Sequence, residues 1–141
     1  MENIKRVYID MDDVLADFTS AFIKRKDGTL PYPQSKYGFF LGLEPIKGGL
    51  EAVKILRSKY DVWILTRPSI HNPLCYTEKR VWVENHLGME MVERLILSPD
   101  KSLLKGDYLI DDHQHPGFEG ELIQFGYDPY PNWDSVLKYL M

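Results

Sequence analysis

The sequence predicts an α/β three-layer sandwich in which a parallel five-stranded sheet lies between layers of helix. Two observations predict this fold. Short apolar runs alternate with segments of helical periodicity along the whole chain. Several of these runs end in Asp or Thr, at the strand ends where open α/β sheets bind their ligands. The 141 residues fit a single domain over 1–141.

The composition is that of an ordinary globular protein with a mild acidic bias. The formal net charge of −4 argues against stable nucleic-acid binding, but it allows a small phosphorylated ligand at a local basic site. The single Cys75 excludes an internal disulfide, and we expect this thiol to be inert. Residues 1–6 show no signal-peptide core, and no apolar run is long enough for a membrane span. We therefore expect a cytoplasmic protein without a membrane partner.

The N-terminal third is predicted to form a strand, a helix and an aromatic insert. The strand covers 5–10, and the helix runs from 14 to about 26, where Asp27-Gly28 ends it. The insert, at about 29–43, is rich in proline, glycine and aromatic residues. It is either a small cap over the site or a loop whose rings enter the core, and the sequence leaves both open.

The rest of the chain continues the alternation of helix and strand. The second helix opens at 45–49, ends near 59 and presents Leu50, Val53, Ile55 and Leu56 as its apolar face. The later elements are a strand at 61–66, a helix at 76–87 ended by Gly88, strands at 92–97, 108–112 and 121–125, and a last helix capped by Asn132.

Polar side chains collect at the ends of these predicted strands. In chain order they are Asp10 and Asp12, then Thr66, then Lys101, then Asp111 and Asp112. Because the C-terminal ends of parallel strands lie along one edge of a sheet, we expect these groups to converge.

The residue types in this set fit phosphoryl transfer. Carboxylates from two strand ends make the oxygen-rich site that Mg²⁺ prefers. Mg²⁺ and Lys101 would keep Asp10 ionised as a nucleophile that forms an aspartyl-phosphate. Asp12, on the same side, would protonate the leaving alkoxide and then deprotonate water, which requires it to hold a proton more readily than Asp10 does. Thr66 and Lys101 would bind the phosphoryl oxygens, and the amides after Asp10, at a helix N-terminus, would add an anion site.

The order of these motifs resembles the haloacid dehalogenase (HAD) superfamily of phosphatases, and within it the 5'(3')-deoxyribonucleotidases. Three parts of the chain carry the resemblance: residues 10–18, residues 39–53, and the later segments 76–84 and 100–112. The resemblance implies a Rossmann-like, HAD-like core and a Mg²⁺-dependent phosphatase. It also implies a small phosphorylated substrate, a (deoxy)nucleoside monophosphate.

The resemblance also implies a role for each motif residue. Asp10 is the nucleophile and a metal ligand, and Asp12 is the general acid/base and gives the metal its main-chain carbonyl. Asp112, together with Asp111, completes the metal site. The implied phosphate-binding residues are Thr66, Arg67, Lys79 and Lys101. For Lys79, an exposed charge on a helix is an equally open interpretation.

The sequence departs from this family in two places. Asp13 stands where the branch usually has Gly. The nucleotidases also carry a long helical cap after the first motif, whereas only 29–43 is available here, as a minimal cap. The aromatic residues that remain as a stacking surface for a base are Phe18, Tyr32, Tyr37, Phe39 and Phe40.

Three other interpretations compete with this one. A phospho-accepting receiver module has a similar size, but it takes phosphate at the end of its third strand, which ends here in Leu97-Ser98-Pro99. A phosphatase for a non-nucleotide ester stays open, as does a homodimer whose partner supplies a lid. A non-catalytic binding module would not need Asp12.

We expect His113 and His115 to be solvent-exposed loop residues, and Asp17 to be an acid in the first turn of a helix.

Overall fold

The computed structural model describes residues 3–26 and 30–141, and its centre is a parallel sheet in the order β3-β2-β1-β4-β5. The strands are β1 (Arg6–Ile9), β2 (Asp61–Thr66), β3 (Leu95–Leu97), β4 (Tyr108–Asp111) and β5 (Glu121–Gln124). The helices are α1 (Phe18–Arg25), α2 (Gly49–Arg57), α3 (Cys75–Leu87), α4 (Met89–Val92) and α5 (Trp133–Leu140). The predicted fold class is confirmed.

Strand β1 is the middle strand, and its position sets the site. In the sheet register, Ile9 pairs with Ile64 of β2 on one side and with Ile110 of β4 on the other. This order differs from that of receiver modules, where the first strand lies beside the third. Asp10, the residue after Ile9, therefore lies at the centre of the C-terminal edge of the sheet.

Two apolar clusters cover the two faces of the sheet. The larger one joins alternate strand residues such as Val7 and Ile9 to the inner faces of α2, α3 and α5. The smaller one contains Tyr8, Leu65 and Phe118. Because successive strand residues point to opposite faces, the central strands are apolar throughout.

The first helix begins later than predicted, at Phe18 instead of residue 14. Asp13 has a left-handed backbone (φ 63°), and the Met11 carbonyl accepts hydrogen bonds from the amides of Leu15 and Ala16. Residues 11–16 therefore form a compact turn. Asp17 accepts a hydrogen bond from the Ser20 amide, so it is the N-cap of α1 and not an acid of its first turn. The predicted stop at Asp27-Gly28 lies outside the described residues.

Two further predictions about regular structure were wrong in part. The third strand covers only Leu95–Leu97, because Met89–Val92 forms α4 and turns the chain before the strand begins. In α2, Ile55 is exposed, and the buried face is Gly49, Ala52, Val53 and Leu56. Those four positions follow the i, i+3, i+4, i+7 spacing, from which Ile55 departs.

The aromatic insert divides its rings between core and surface. Phe39 and Phe40 are buried in the larger cluster, whereas Tyr32 and Tyr37 are exposed by 65% and 66%. A 3₁₀ turn at Pro33–Ser35 lies between the two tyrosines. Phe39 and Phe40 were both named as part of a stacking surface for a base, but as buried side chains they are not accessible to one.

No helix within residues 3–26 and 30–141 combines the length and the apolar character needed to cross a membrane.

Candidate active site

The strand ends bring the predicted polar residues together at one edge of the sheet. Asp10 follows β1 and donates its amide hydrogen to the Ile110 carbonyl (2.9 Å), which holds it beside β4. Thr66 ends β2 and Asp111 ends β4. All three side chains are buried, so their polar groups must find partners within the protein.

Lys101 is the cation between two of these carboxylates. Its Nζ donates to Asp10 Oδ1 at 2.8 Å and to Asp111 Oδ2 at 2.6 Å. Burial alone would lower the pKa of Lys101, but the charges of Asp10 and Asp111 raise it above its ordinary value. Lys101 is therefore a permanent positive charge next to Asp10.

Three carboxylates lie close to one another at this edge of the sheet, and Lys101 bonds two of them. Asp10, Asp111 and Asp112 each offer an oxygen, and these oxygens lie within 4.8 Å of one another. Burial raises the pKa of Asp10 well above its ordinary range, against the lowering effect of Lys101, and burial also raises the pKa of Asp112. Asp112 Oδ1 is buried without a hydrogen-bond partner. An all-oxygen set that is short of positive charge fits a divalent cation such as Mg²⁺.

The carboxyl group of Asp12 lies in a different place, against α3. Its Oδ2 is 3.0 Å from Lys79 Nζ, and its Oδ1 is buried with no hydrogen-bond partner. Within the described residues, this carboxyl group does not belong to the carboxylate cluster. This agrees with an acid/base carboxyl group that is separate from the metal ligands, and the main-chain carbonyl of Asp12 as a metal ligand stays a prediction.

Burial raises the pKa of Asp12, although Lys79 opposes the shift. The pKa of Asp10 is raised as well, for the same first cause. The predicted separation, in which Asp12 holds its proton more readily than Asp10, therefore requires a further cation beside Asp10, in addition to Lys101.

Lys79 reaches the site from α3 and has no exposed surface. Its Nζ donates to Thr66 Oγ1 at 2.6 Å and to the Arg67 carbonyl at 2.7 Å, in addition to Asp12. The interpretation of Lys79 as an exposed helix charge is therefore wrong. The side chain of Arg67 is exposed, and among the described contacts Arg67 contributes only its carbonyl to this cluster.

Comparison with known proteins gives the family. A family model described as 5' nucleotidase, deoxy (pyrimidine), cytosolic type C protein matches residues 27–130. A protein of Vibrio phage KVP40 assigned as a 5'(3')-deoxyribonucleotidase is 41% identical, over 95% of this chain and 83% of its own length. This chain belongs to the 5'(3')-deoxyribonucleotidase family. The human cytosolic 5'(3')-deoxyribonucleotidase is 35% identical to it, over 94% of this chain and 78% of the human protein.

Solved structures agree on the fold of this nucleotidase-family chain. A HAD-like hydrolase from Streptococcus pneumoniae superposes with a TM-score of 0.66, over 98% of this chain and 99% of the other. A HAD-like hydrolase from Xanthomonas campestris gives a TM-score of 0.58, over 99% and 97%. Each is 14% identical in sequence, so these similarities establish the HAD-like fold alone.

In this family member, two of the amides expected to form an anion site after Asp10 already have partners within the protein. The Met11 amide donates to Asp10 Oδ1 (2.8 Å), and the Asp13 amide donates to the Ala16 carbonyl (2.6 Å). The helix itself starts only at Phe18. These two amides serve the turn, and they are not free for a ligand.

One expectation near this site was wrong, because His115 is not a solvent-exposed loop residue. His115 places Nε2 3.0 Å from Asp111 Oδ2 and is partly buried, whereas His113 is exposed as expected. The only local signal was the spacing of four residues from Asp111, which is too weak by itself to predict a contact. Cys75 is buried and its pKa is raised by burial, in agreement with an inert thiol.

Proposed function

We propose that this protein is a Mg²⁺-dependent phosphomonoesterase that hydrolyses (deoxy)nucleoside monophosphates through an aspartyl-phosphate on Asp10. The observation that carries the proposal is the buried Asp10, which Lys101 holds at the centre of the sheet edge, with Asp12 two residues away. Membership of the 5'(3')-deoxyribonucleotidase family supports the substrate class.

Asp10 is the group that we assign to attack. Its Oδ1 accepts hydrogen bonds from the Met11 amide and from Lys101, both at 2.8 Å, which fixes the orientation of the carboxylate. Oδ2 takes part in neither bond, so it is the oxygen that attacks phosphorus. As the bond from phosphorus to the ester oxygen breaks, a proton from Asp12 Oδ1 goes to the leaving alkoxide.

The second half of the reaction returns both carboxyl groups to their starting state. Asp12 takes a proton from a water molecule, the resulting hydroxide attacks phosphorus, and Asp10 leaves as a carboxylate. The buried environment that raises the pKa of Asp12 suits a group that must hold a proton between these steps.

The remaining residues bind and neutralise the phosphoryl group. Mg²⁺ held by Asp10, Asp111 and Asp112, with the Asp12 carbonyl, would supply the positive charge that this carboxylate cluster lacks. We assign contacts with the phosphoryl oxygens to Lys101, which bonds Asp10, and to Thr66, which ends the strand next to β1. We assign secondary phosphate contacts to Lys79 and Arg67.

We further propose that 29–43 acts as a minimal cap on a single domain. The described part, 30–43, leaves only Tyr32 and Tyr37 widely exposed among its rings. Base recognition by this cap would therefore depend on those two tyrosines. The burial of Phe39 and Phe40 favours one alternative, a phosphatase with the same chemistry for a non-nucleotide ester.

Phosphate release tests the proposal directly. The substrates are an aryl phosphate and a panel of 5' and 3' deoxynucleotides, each with Mg²⁺ or with chelator. We expect metal-dependent turnover that Asp10→Asn lowers by roughly a thousandfold or more, because the nucleophile is lost. The matched control is Asp134→Asn, the same change at an exposed position in α5, which should keep full turnover.

Each outcome of the panel has a distinct meaning. Turnover of the nucleotides supports the nucleotidase, and turnover of the aryl phosphate alone supports the alternative ester. If folded wild-type protein with Mg²⁺ hydrolyses none of these substrates, the enzymatic proposal is wrong.

A further inference from the structure

The position of Lys79 depends on its neighbour in α3, the buried Glu78. The Glu78 carboxylate accepts hydrogen bonds from the Gly38 amide (2.7 Å) and the Phe40 amide (3.1 Å). A carboxylate that accepts two backbone N–H groups in a buried setting is strongly held. These bonds fix residues 38–40 of the insert against the helix that carries Lys79.

Phe40 then contacts the ammonium group of Lys79. Lys79 Nζ lies over the Phe40 ring, 5.1 Å from its centroid. Both side chains are buried, and the attraction between a cation and a ring face is strongest where water is excluded. Phe40 is itself held edge-to-face by Phe39, with 5.1 Å between the ring centroids. The Phe40 ring is therefore held in a fixed position against the Lys79 ammonium group.

Lys79 has no spare hydrogen-bond donor in this position. An ammonium group has three N–H bonds, and they meet Asp12 Oδ2, Thr66 Oγ1 and the Arg67 carbonyl. Because the Thr66 oxygen accepts from Lys79, its own hydroxyl hydrogen is free to donate elsewhere. Because Asp12 Oδ2 is engaged, Oδ1, which has no partner, is left as the oxygen to carry a proton.

We propose that Glu78 and Phe40 are positioning residues that hold the Lys79 ammonium where it orients Asp12 and Thr66 for proton delivery and phosphoryl binding. This inference rests on the proposed phosphatase function. It gives the insert a role that is independent of substrate selection. Residues 38–40 fix the position of Lys79, and Lys79 in turn orients the carboxyl group of Asp12.

The choice of substrate separates this role from a merely structural one. An aryl phosphate leaves as a stabilised phenolate and needs little help from an acid, whereas a nucleoside leaves as an alkoxide that must be protonated. A misplaced Asp12 therefore slows the first step, formation of the aspartyl-phosphate, much more for a nucleotide than for an aryl phosphate, and kcat/KM reports on this step. General loosening of the fold slows both alike.

The test compares Phe40→Leu with Phe118→Leu. Both rings are buried, but Phe118 belongs to the smaller cluster on the other face of the sheet, whereas the Phe40 ring lies against Lys79. For Phe40→Leu we expect kcat/KM for a nucleoside monophosphate to fall about 10-fold or more, and kcat/KM for the aryl phosphate to fall less than about 3-fold. For Phe118→Leu we expect the ratio of the two kcat/KM values to stay at the wild-type value.

Glu78→Gln should shift the ratio in the same direction as Phe40→Leu. Glutamine keeps the size of the side chain, but its single acceptor oxygen cannot bind both the Gly38 and Phe40 amides. The proposal is overturned if Phe40→Leu lowers both kcat/KM values equally, or if Phe118→Leu changes the ratio as much.

A measurement independent of activity tests the Phe40–Lys79 contact itself. Urea unfolding of Phe40→Leu, Lys79→Met and the double variant should show non-additive shifts in the free energy of unfolding, since the two side chains touch. The same cycle with Phe118→Leu, in the cluster on the other face of the sheet, should be additive. If the wild type hydrolyses no ester, the proposed function fails while this cycle still decides the placement, and additive shifts for Phe40 and Lys79 would refute it.

Discussion

Asp13 shows how one residue close to Asp10 shapes the local chain. Its backbone is left-handed, at φ 63°, a conformation that Asp tolerates better than most residues. Its carboxylate accepts hydrogen bonds from the amide (2.8 Å) and the hydroxyl (2.6 Å) of Thr19. Asp13 therefore makes the turn that a glycine would make, and it adds a tie to α1 that glycine lacks.

Asp61 begins β2, at the end of the strand opposite to Thr66. Its carboxylate accepts hydrogen bonds from Arg6, Arg94 and Trp63. Burial would raise the pKa of Asp61, but the bonds from Arg94, Arg6 and Trp63 outweigh it and lower the pKa below 3.8. The ionised form is favoured by folding, so its stabilisation is complete above that pH and is lost as the pH falls through the lowered value.

We therefore expect Asp61→Asn to cost about 1–2 kcal/mol of unfolding free energy at pH 7, since the pairs are partly exposed. The difference from the wild type should shrink below about pH 4, where the wild-type carboxyl group also becomes neutral. Urea unfolding at pH 7, 5 and 3 measures both, with Asp134→Asn as control. A difference that is the same at all three pH values would contradict the assignment.

At the scale of elements, two buried indoles connect helices to the segments that build the site. Trp133 of α5 donates its Nε1 hydrogen to the Val14 carbonyl in the turn formed by residues 11–16 (2.9 Å). Trp82 of α3 donates to the Leu43 carbonyl at the end of the insert (2.8 Å). Both rings are buried in the core. Their carbonyl partners, 119 and 39 residues away, have no sequence signal.

Trp133→Phe should lower the free energy of unfolding by about 2–4 kcal/mol. The substitution leaves the buried Val14 carbonyl unpaired and removes part of a large side chain from the core. Trp63→Phe provides the matched control, since Trp63 is only half-buried and its Nε1 bonds the partly exposed Asp61. Thermal or urea unfolding of the two variants makes the comparison. Equal losses would mean that the Val14 contact adds no stability.

At the scale of the whole molecule, folding gathers more negative charge at the sheet edge than Lys101 neutralises. The carboxylates of Asp10, Asp111 and Asp112 come from two separate strand ends, so they repel only once the sheet has formed. A cation that binds this edge binds the folded state and not the unfolded chain. Its binding should therefore raise the stability of the whole domain.

Mg²⁺ at a hundred times its dissociation constant should add about 2.7 kcal/mol to the unfolding free energy, and a chelator should remove this gain. Asp112→Asn should abolish most of the response. Without Mg²⁺ the same variant should be no less stable than the wild type, because it removes a carboxylate whose pKa burial has raised. Asp134→Asn should respond like the wild type, and an unchanged Mg²⁺ response in Asp112→Asn would remove Asp112 from the metal site.

The sequence by itself determined the sheet and the chemistry along its edge. Apolar runs with polar ends predict strands, and parallel strands must place those ends together, so Asp10, Thr66, Lys101 and Asp111 were found without a structure. Tertiary structure alone decided what surrounds them. Glu78 binds the amides of Gly38 and Phe40, 40 and 38 residues away, and Phe40 in turn lies under Lys79. Local periodicity cannot reveal such contacts, because they depend on which surfaces of distant segments meet when the chain packs.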